Sequence, residues 1–425
     1  MKAAKLGIKF VGVTIGMLIL GLALMIVVYM LPTGRMKSNI AFSHETFNYE
    51  GIYPQVINGY KSTQLDNYTD ALMYATAIHP GSGNVVKDAL RNARFEYTDT
   101  NMAQALNDYA NDVSAKEEVK YEMEYARYWH GYLVILKPLL LFFNVGEIRM
   151  LNMVLQGSLL ILLLYFVRKQ LGEPYQIPVF VMLAVLNPIV LPLSLQFSWV
   201  YYIALFGAIA IVGSKNPYAQ KKYVFIFWIL GMLTSYMDLL TYPLITLGLP
   251  LVLLLLRYRS ENLKRQLFTV LESGLFWGIG YAAMWMGKWL FAGVLGGIDI
   301  FNDVFGKIQE RTSLSVESTE NLSVGAIWER NVGILTGWPY LLLSALFVVC
   351  CVILYRKSRR NIRPVKGIPY IPIAILPFVW YALLSNHSWI HYWFTYRELA
   401  ITVLAGAAGI MEMLMEDKKE EVKIG

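Results

Sequence analysis

Ten apolar runs, separated by short basic loops and interrupted by one long polar loop after the first, constrain this chain more than any other feature. A helix needs roughly twenty apolar residues to cross the hydrocarbon core of a bilayer. The runs lie at 8–31, 148–167, 176–193, 198–213, 222–238, 243–256, 267–288, 334–355, 368–385 and 398–415. Hydrophobic residues make up 56% of the 425 positions and charged ones only 16%, too little charge to cover a soluble globule of this length. The expected fold class is an all-α polytopic membrane protein of about ten transmembrane helices.

Lys and Arg mark the cytoplasmic side of such a chain. Lys2 and Lys5 precede the first run, and Arg168, Lys169, Lys215, Lys221, Lys222, Arg257, Arg259, Lys264 and Arg265 follow in loops of one parity. Arg356, Lys357, Arg359, Arg360, Arg363, Lys366, Lys418 and Lys419 continue the series. Both termini are therefore expected in the cytoplasm of a plasma-membrane protein, with loops 32–147 and 289–333 outside. The first run starts with basic residues, outlasts a signal peptide and lacks a small-residue cleavage site, so it reads as a retained anchor. The net charge of +7 is thus a topology signal. No basic run interleaved with base-stacking aromatics accompanies it, and no nucleic acid is expected as a partner. Cys350 and Cys351 are adjacent within a run, which suits core filling and not a disulfide.

The long outer loop has its own organisation. Residues 64–78 read as a helix stopped by His79-Pro80-Gly81, and residues 101–127 as a second, solvated one. Residues 130–143 are apolar but too short to cross, and crossing would break the charge pattern, so they are expected to lie in the membrane interface.

Candidate chemistry gathers on this outer side. Asp66 and Asp70 stand four residues apart, close enough on a helix to couple. One could be a general base, or the pair could hold a divalent cation such as Mg or Mn; the plain alternative is a helix N-cap followed by a first-turn acid. Asn67-Tyr68-Thr69 also spells a glycosylation sequon, a short pattern common by chance. His130, with Arg127 and Trp129, precedes the interfacial stretch, Lys137 lies in it, and Arg149 and Asn152 enter the second run. Such cations either grip a lipid-linked phosphate or anchor headgroups. Asp238 stands at an outer turn as a cap or a cavity wall. His387, His391 and Arg397 lie among aromatics in the last outer turn, a setting better suited to a prenyl-phosphate or sugar pocket than to a zinc pair. Lys307 and Arg311, in the second outer loop, are further phosphate-clamp candidates on a possible lid.

This layout resembles the GT-C superfamily of membrane glycosyltransferases, among them the protein O-mannosyltransferases and the lipid A aminoarabinose transferases. The stretch from His130 to Gln156, with Phe142-Phe143-Asn144-Val145-Gly146-Glu147-Ile148-Arg149, is similar to their interfacial helix and Phe-Gly-x-x-Glu-x-x-x-Arg element, with Gly131-Tyr132 in place of Pro-Pro. Their catalytic acid sits in an Asp-Glu or Asp-x-Asp element where Asp66 and Asp70 stand here, though neither spelling is present. The resemblance implies a catalytic module over 1–288 and a substrate-specific part over 289–425. It implies inverting transfer of a sugar from a polyprenyl-phosphate donor, at the outer leaflet among membrane lipid, to a glycan or wall-polymer acceptor. Asp66 or Asp70 would be the base, and Arg149, Arg311, His391 and Arg397 would stabilise the departing phosphate. Two other readings stand beside this one: a flippase or transporter of lipid-linked glycans, and a polysaccharide polymerase or ligase working through loop 289–333.

Overall fold

The computed structural model describes residues 2–98, 100–112, 120–216, 218, 221–260, 262–316, 322–357 and 362–415. Arg359, Arg360, Lys418 and Lys419 of the basic series lie outside them. The chain is mostly helical, and six stretches are long and apolar enough to cross a membrane: Gly7–Tyr29, Val145–Leu171, Leu195–Gly213, Leu263–Val294, Trp338–Arg356 and Pro364–Leu383.

The other four apolar runs form shorter helices. These are Glu173–Leu186, Lys222–Met237, Ile245–Arg257 and Leu399–Leu414. At 1.5 Å per residue, the 13 residues of Ile245–Arg257 extend only about 20 Å, short of a hydrocarbon core of roughly 30 Å. Every residue from Ile245 to Leu256 is buried, so this helix packs inside the bundle. The run at 176–193 is not one helix: it ends at Leu186, where Asn187 turns left-handed (φ 57°) and Pro188 follows. A 3-10 turn, Leu191–Leu193, then leads into Leu195–Gly213.

Glycines set the closest helix crossing. A Cβ on Gly231 would meet the Trp277 carbonyl oxygen at 2.0 Å, and one on Gly280 would meet that of Trp228 at 2.3 Å. Helices Lys222–Met237 and Leu263–Val294 thus touch backbone to backbone, the small-residue packing that bilayers favour. One hydrophobic cluster runs from Phe10 to Ala408, across both sides of residue 288.

The basic loops meet at one end of this bundle. The Tyr258 hydroxyl donates to the Ser214 carbonyl (2.7 Å), Arg259 pairs with Glu412 (3.1 Å), Tyr175 donates to Glu412 (2.8 Å), and the Arg363 N–H donates to Met413 (3.0 Å). The polar loop after the first span packs on the opposite end. There the sequence-based expectation of a helix over 101–127 fails. Among the described residues the helix is Met102–Ala110, capped by Asn101, followed by a left-handed Asp112 (φ 55°), and residues 113–119 lie outside the described residues. Lys120–Met123 is instead a strand, antiparallel to Arg94–Tyr97. The apolar stretch 130–143 contains one short helix, Leu133–Leu140, with Leu133, Leu136, Lys137 and Leu140 turned inward.

Candidate functional site

The helix expected at 64–78 begins at Asn67, so Asp66 and Asp70 do not share a helical face. Asp66 is the N-cap, its Oδ1 accepting the Thr69 N–H at 3.0 Å, and Asp70 lies in the first turn. Their surroundings then divide them. Asp70 accepts hydrogen bonds from the Ser194 hydroxyl (3.0 Å) and the N–H groups of Leu195 (2.9 Å) and Gln196 (3.0 Å). It therefore caps the membrane helix Leu195–Gly213, an anion on the positive end of a helix dipole. Burial raises its carboxyl to about 6 against the Gln196 bond and the charge of Arg149. Both of its oxygens are committed.

Asp66 is not committed in that way. The Thr69 N–H donates to its carboxylate, with the Thr69 hydroxyl beside it and the Trp393 indole N–H facing it from the last outer turn. Tyr53 and Tyr68, 45% and 38% exposed, lie close by, with Tyr53 edge-on to Trp393 at 5.4 Å. Asp66, 2% exposed, thus sits one aromatic layer below the surface. Burial lifts its carboxyl to about 7, opposed by the Thr69 bond and reinforced by the charge on Asp70. A buried carboxylate with spare lone pairs and a pKa near neutrality has the protonation behaviour a general base needs.

The two acids do not fit a shared divalent cation, because Asp70 turns both oxygens toward residues 194–196. Among the described residues no group of three His, Cys, Asp or Glu side chains is arranged to hold a metal.

Most of the other sequence candidates have structural partners. Arg149 donates to Glu50 (2.6 Å) and Asn67 (3.0 Å), so its charge is largely neutralised, although it lies close enough to Asp70 to stabilise that carboxylate. Asn67, buried and bonded to Glu50 and Gly51 as well, is no accessible sequon. Lys137 donates to the Ala77 carbonyl at 2.7 Å, closing the C-terminal end of helix Asn67–Ile78, and burial lowers its ammonium to about 8. Both ring nitrogens of His130 are engaged, by the Tyr132 hydroxyl (2.8 Å) and the Tyr125 carbonyl (3.0 Å), and burial holds the ring neutral. Asp238 caps its own turn by accepting from the Thr241 N–H (3.0 Å) and hydroxyl. Arg149, Lys137, His130 and Asp238 are thus buried and hold local structure, and none is a surface cation or acid.

The last outer turn is closer to Asp66. His387 bonds the Leu240 carbonyl at 2.8 Å through Nε2 and stacks near His391, ring centroids 4.8 Å apart. Burial, with Arg311 nearby, lowers His391 to about 4, so its ring is uncharged at neutral pH. Its Nδ1 is buried without a hydrogen-bond partner among the described residues. Arg397 is fully buried and donates to the carbonyls of Trp393 (3.2 Å) and Ser62 (3.3 Å), with its guanidinium over the Phe197 ring at 4.2 Å. It ties the last turn to the segment just before Asp66. Arg311 hydrogen-bonds the Tyr128 hydroxyl and faces His391.

Sequence reasoning passed over Tyr53, Tyr68 and Trp393. Trp393 carried a weak signal, standing two residues from His391 in an aromatic-rich turn. Comparison with protein-family models, with curated proteins and with solved structures finds no match in any of the three.

Proposed function

We propose that the chain is a membrane glycosyltransferase that moves a sugar from a polyprenyl-phosphate donor to a cell-envelope acceptor, such as a wall polymer, teichoic acid, capsule glycan or lipid-linked glycan. Ten membrane helices would place both termini in the cytoplasm and the Asp66 site at the outer leaflet of the plasma membrane. Concentration of the basic loops at the far end of the bundle supports that orientation.

The observation that carries the reading is Asp66: a carboxyl lifted to about 7, with one backbone bond and aromatic cover, beside a carboxylate that is fully engaged. In the reaction, an acceptor hydroxyl attacks the anomeric carbon from the face opposite the phosphate. The new C–O bond forms as the bond to the phosphate oxygen breaks. The hydroxyl proton passes to Asp66, and the polyprenyl phosphate leaves with the bonding electron pair. Phosphate is a good leaving group, so the demand falls on the base and on cations near the departing oxygens. Tyr53, Tyr68 and Trp393 offer flat faces against which a sugar ring can rest while the site excludes water.

Reconstituted protein supplied with polyprenyl-phosphate sugars tests the proposal. Release of polyprenyl phosphate that depends on the acceptor and on Asp66 supports it. A transporter of lipid-linked glycans would instead move its cargo with Asp66→Asn in place.

A further inference from the structure

The two-stranded ribbon of the outer loop, Arg94–Tyr97 with Lys120–Met123, has two unlike faces, because successive side chains of a strand point to opposite sides. One face packs on helix Met102–Ala110. There the Phe95 ring lies 4.9 Å from that of Tyr109, and the Lys120 ammonium sits over both rings at 3.7 and 4.7 Å. The other face presents Arg94, Glu96, Tyr121 and Met123, with Glu96 directly opposite Tyr121 in the register. The Tyr121 hydroxyl donates to Glu96 Oε2 (3.0 Å), and Glu96 in turn pairs with Arg94.

Tyr68 joins this face to Asp66. It is the second residue of helix Asn67–Ile78, close enough to feel the charges of Glu96 and Arg94 on one side and of Asp66 on the other. Tyr53 stands next to it, near Asp66 as well, and is braced edge-on by Trp393. Tyr53, Tyr68 and Tyr121 thus follow one another from the covered carboxylate out along the ribbon, at 45%, 38% and 40% exposed. The hydroxyls of Tyr53 and Tyr68 make no hydrogen bond among the described residues. A tyrosine held in place offers flat apolar area and a polar rim at little entropic cost. Sugar rings have the matching surface, a C–H face edged by hydroxyls. One sugar above Asp66 needs only Tyr53, Tyr68 and Trp393; Tyr121 extends the row beyond it.

Charge narrows the ligand further. Among the described residues of the open ribbon face Arg94 is the one cation, and it is 7% exposed and paired with Glu96. Lys120 is turned to the far face. A chain of phosphodiesters laid along this row would meet the carboxylates of Glu96 and Asp66 without a compensating cation, and like charges brought together are costly. An uncharged chain meets no such penalty.

We propose that Tyr53, Tyr68 and Tyr121, with Glu96 fixing the last of them, form a platform that binds an uncharged glycan chain over several sugar units, its end directed to Asp66. Calling that chain the acceptor rests on the function proposed above. The platform itself rests on the exposure, anchoring and charge of its residues.

Binding to the full chain in phosphatidylcholine nanodiscs, with no sugar donor present, tests this. The probes are fluorescently labelled cellohexaose and chitohexaose, two uncharged β-1,4-linked hexasaccharides, read by anisotropy. At least one should bind, and Tyr68→Ala and Tyr121→Ala should each weaken it about fivefold or more, the loss typical of an aromatic anchor. Tyr121→Phe keeps the ring and loses the bond to Glu96, so it should fall between Tyr121→Ala and wild type. The disaccharide of the same sugar should be insensitive to Tyr121→Ala, because it is too short to reach from Asp66 to the end of the row. Tyr165→Ala, an exposed tyrosine toward the opposite end of the bundle, should leave binding unchanged. Failure of both hexasaccharides to bind, or undiminished binding in Tyr68→Ala and Tyr121→Ala, would overturn the platform even if Asp66-dependent donor cleavage is found. Displacement of the hexasaccharide by poly(glycerol phosphate) would overturn its assignment to an uncharged chain. Platform-dependent binding without cleavage of any polyprenyl-phosphate sugar would uphold the platform and refute the transferase.

Discussion

Replacing Asp66 by Asn separates chemistry from folding more cleanly than any other change at the site. Asn is as good an N-cap as Asp, so the Thr69 N–H keeps its acceptor and helix Asn67–Ile78 keeps its start; at about pH 4, where Asp66 is protonated in the folded chain, the stability change should stay within about 0.5 kcal/mol. A neutral amide, however, takes no proton. Loss of a general base slows turnover by about 100- to 10,000-fold, and kcat should fall by that factor while donor binding persists. Asp70→Asn should do the reverse. Its carboxylate accepts three bonds at the head of helix Leu195–Gly213, and an amide can replace only part of that set. The cost should be about 2–4 kcal/mol of stability. The assay is kcat with a lipid-linked donor beside thermal unfolding of both variants in the same detergent. In wild type, kcat/KM should rise with pH through about 7 as Asp66 ionises, and that limb should vanish in Asp66→Asn. An active Asp66→Asn, or an inactive Asp70→Asn of undiminished stability, would refute the assignment of roles.

The buried acids also predict the pH dependence of stability. Folded-state values of about 7 for Asp66 and about 6 for Asp70 exceed the unfolded value of 3.8, so between these limits the folded chain holds protons that the unfolded chain has released. Their contribution is complete below about pH 4 and is lost as pH rises toward 7; the melting temperature of Asp66→Asn should accordingly fall less over that interval than wild type. Gly231→Ala drives a methyl group into the Trp277 carbonyl and should destabilise by about 1–3 kcal/mol, read as a lower melting temperature with the pH profile of turnover unchanged. Lys137→Met removes one bond to the Ala77 carbonyl and should alter stability by about 1 kcal/mol, leaving donor affinity intact if that ammonium is a helix cap and not a phosphate ligand.

What the sequence made legible follows from the range of the forces involved. Long apolar windows are local signals, and all ten runs coincide with apolar helices. Their lengths were less readable, since Asn187 and Pro188 end the run at 176–193 early and the helix Ile245–Arg257, buried from Ile245 to Leu256, spans only 13 residues. The stretch 101–127 misled because its helix-forming composition says nothing of a partner strand at Arg94–Tyr97, which pairs with Lys120–Met123 from beyond helix Met102–Ala110. At the site, proximity of two acids was visible and their division of labour was not. Asp66 as an N-cap is a local feature, but Asp70 is fixed by backbone groups more than a hundred residues away.

The most direct test of the central claim is donor cleavage itself. Proteoliposomes holding the full chain are given a panel of polyprenyl-phosphate sugars, each labelled in the sugar, with outer-face glycan acceptors. Both the released polyprenyl phosphate and the anomeric configuration of the product are measured. One donor should yield polyprenyl phosphate and a product of inverted configuration, and Asp66→Asn should yield neither. Passage of intact labelled lipid across the bilayer without cleavage, or transfer undiminished in Asp66→Asn, would contradict it.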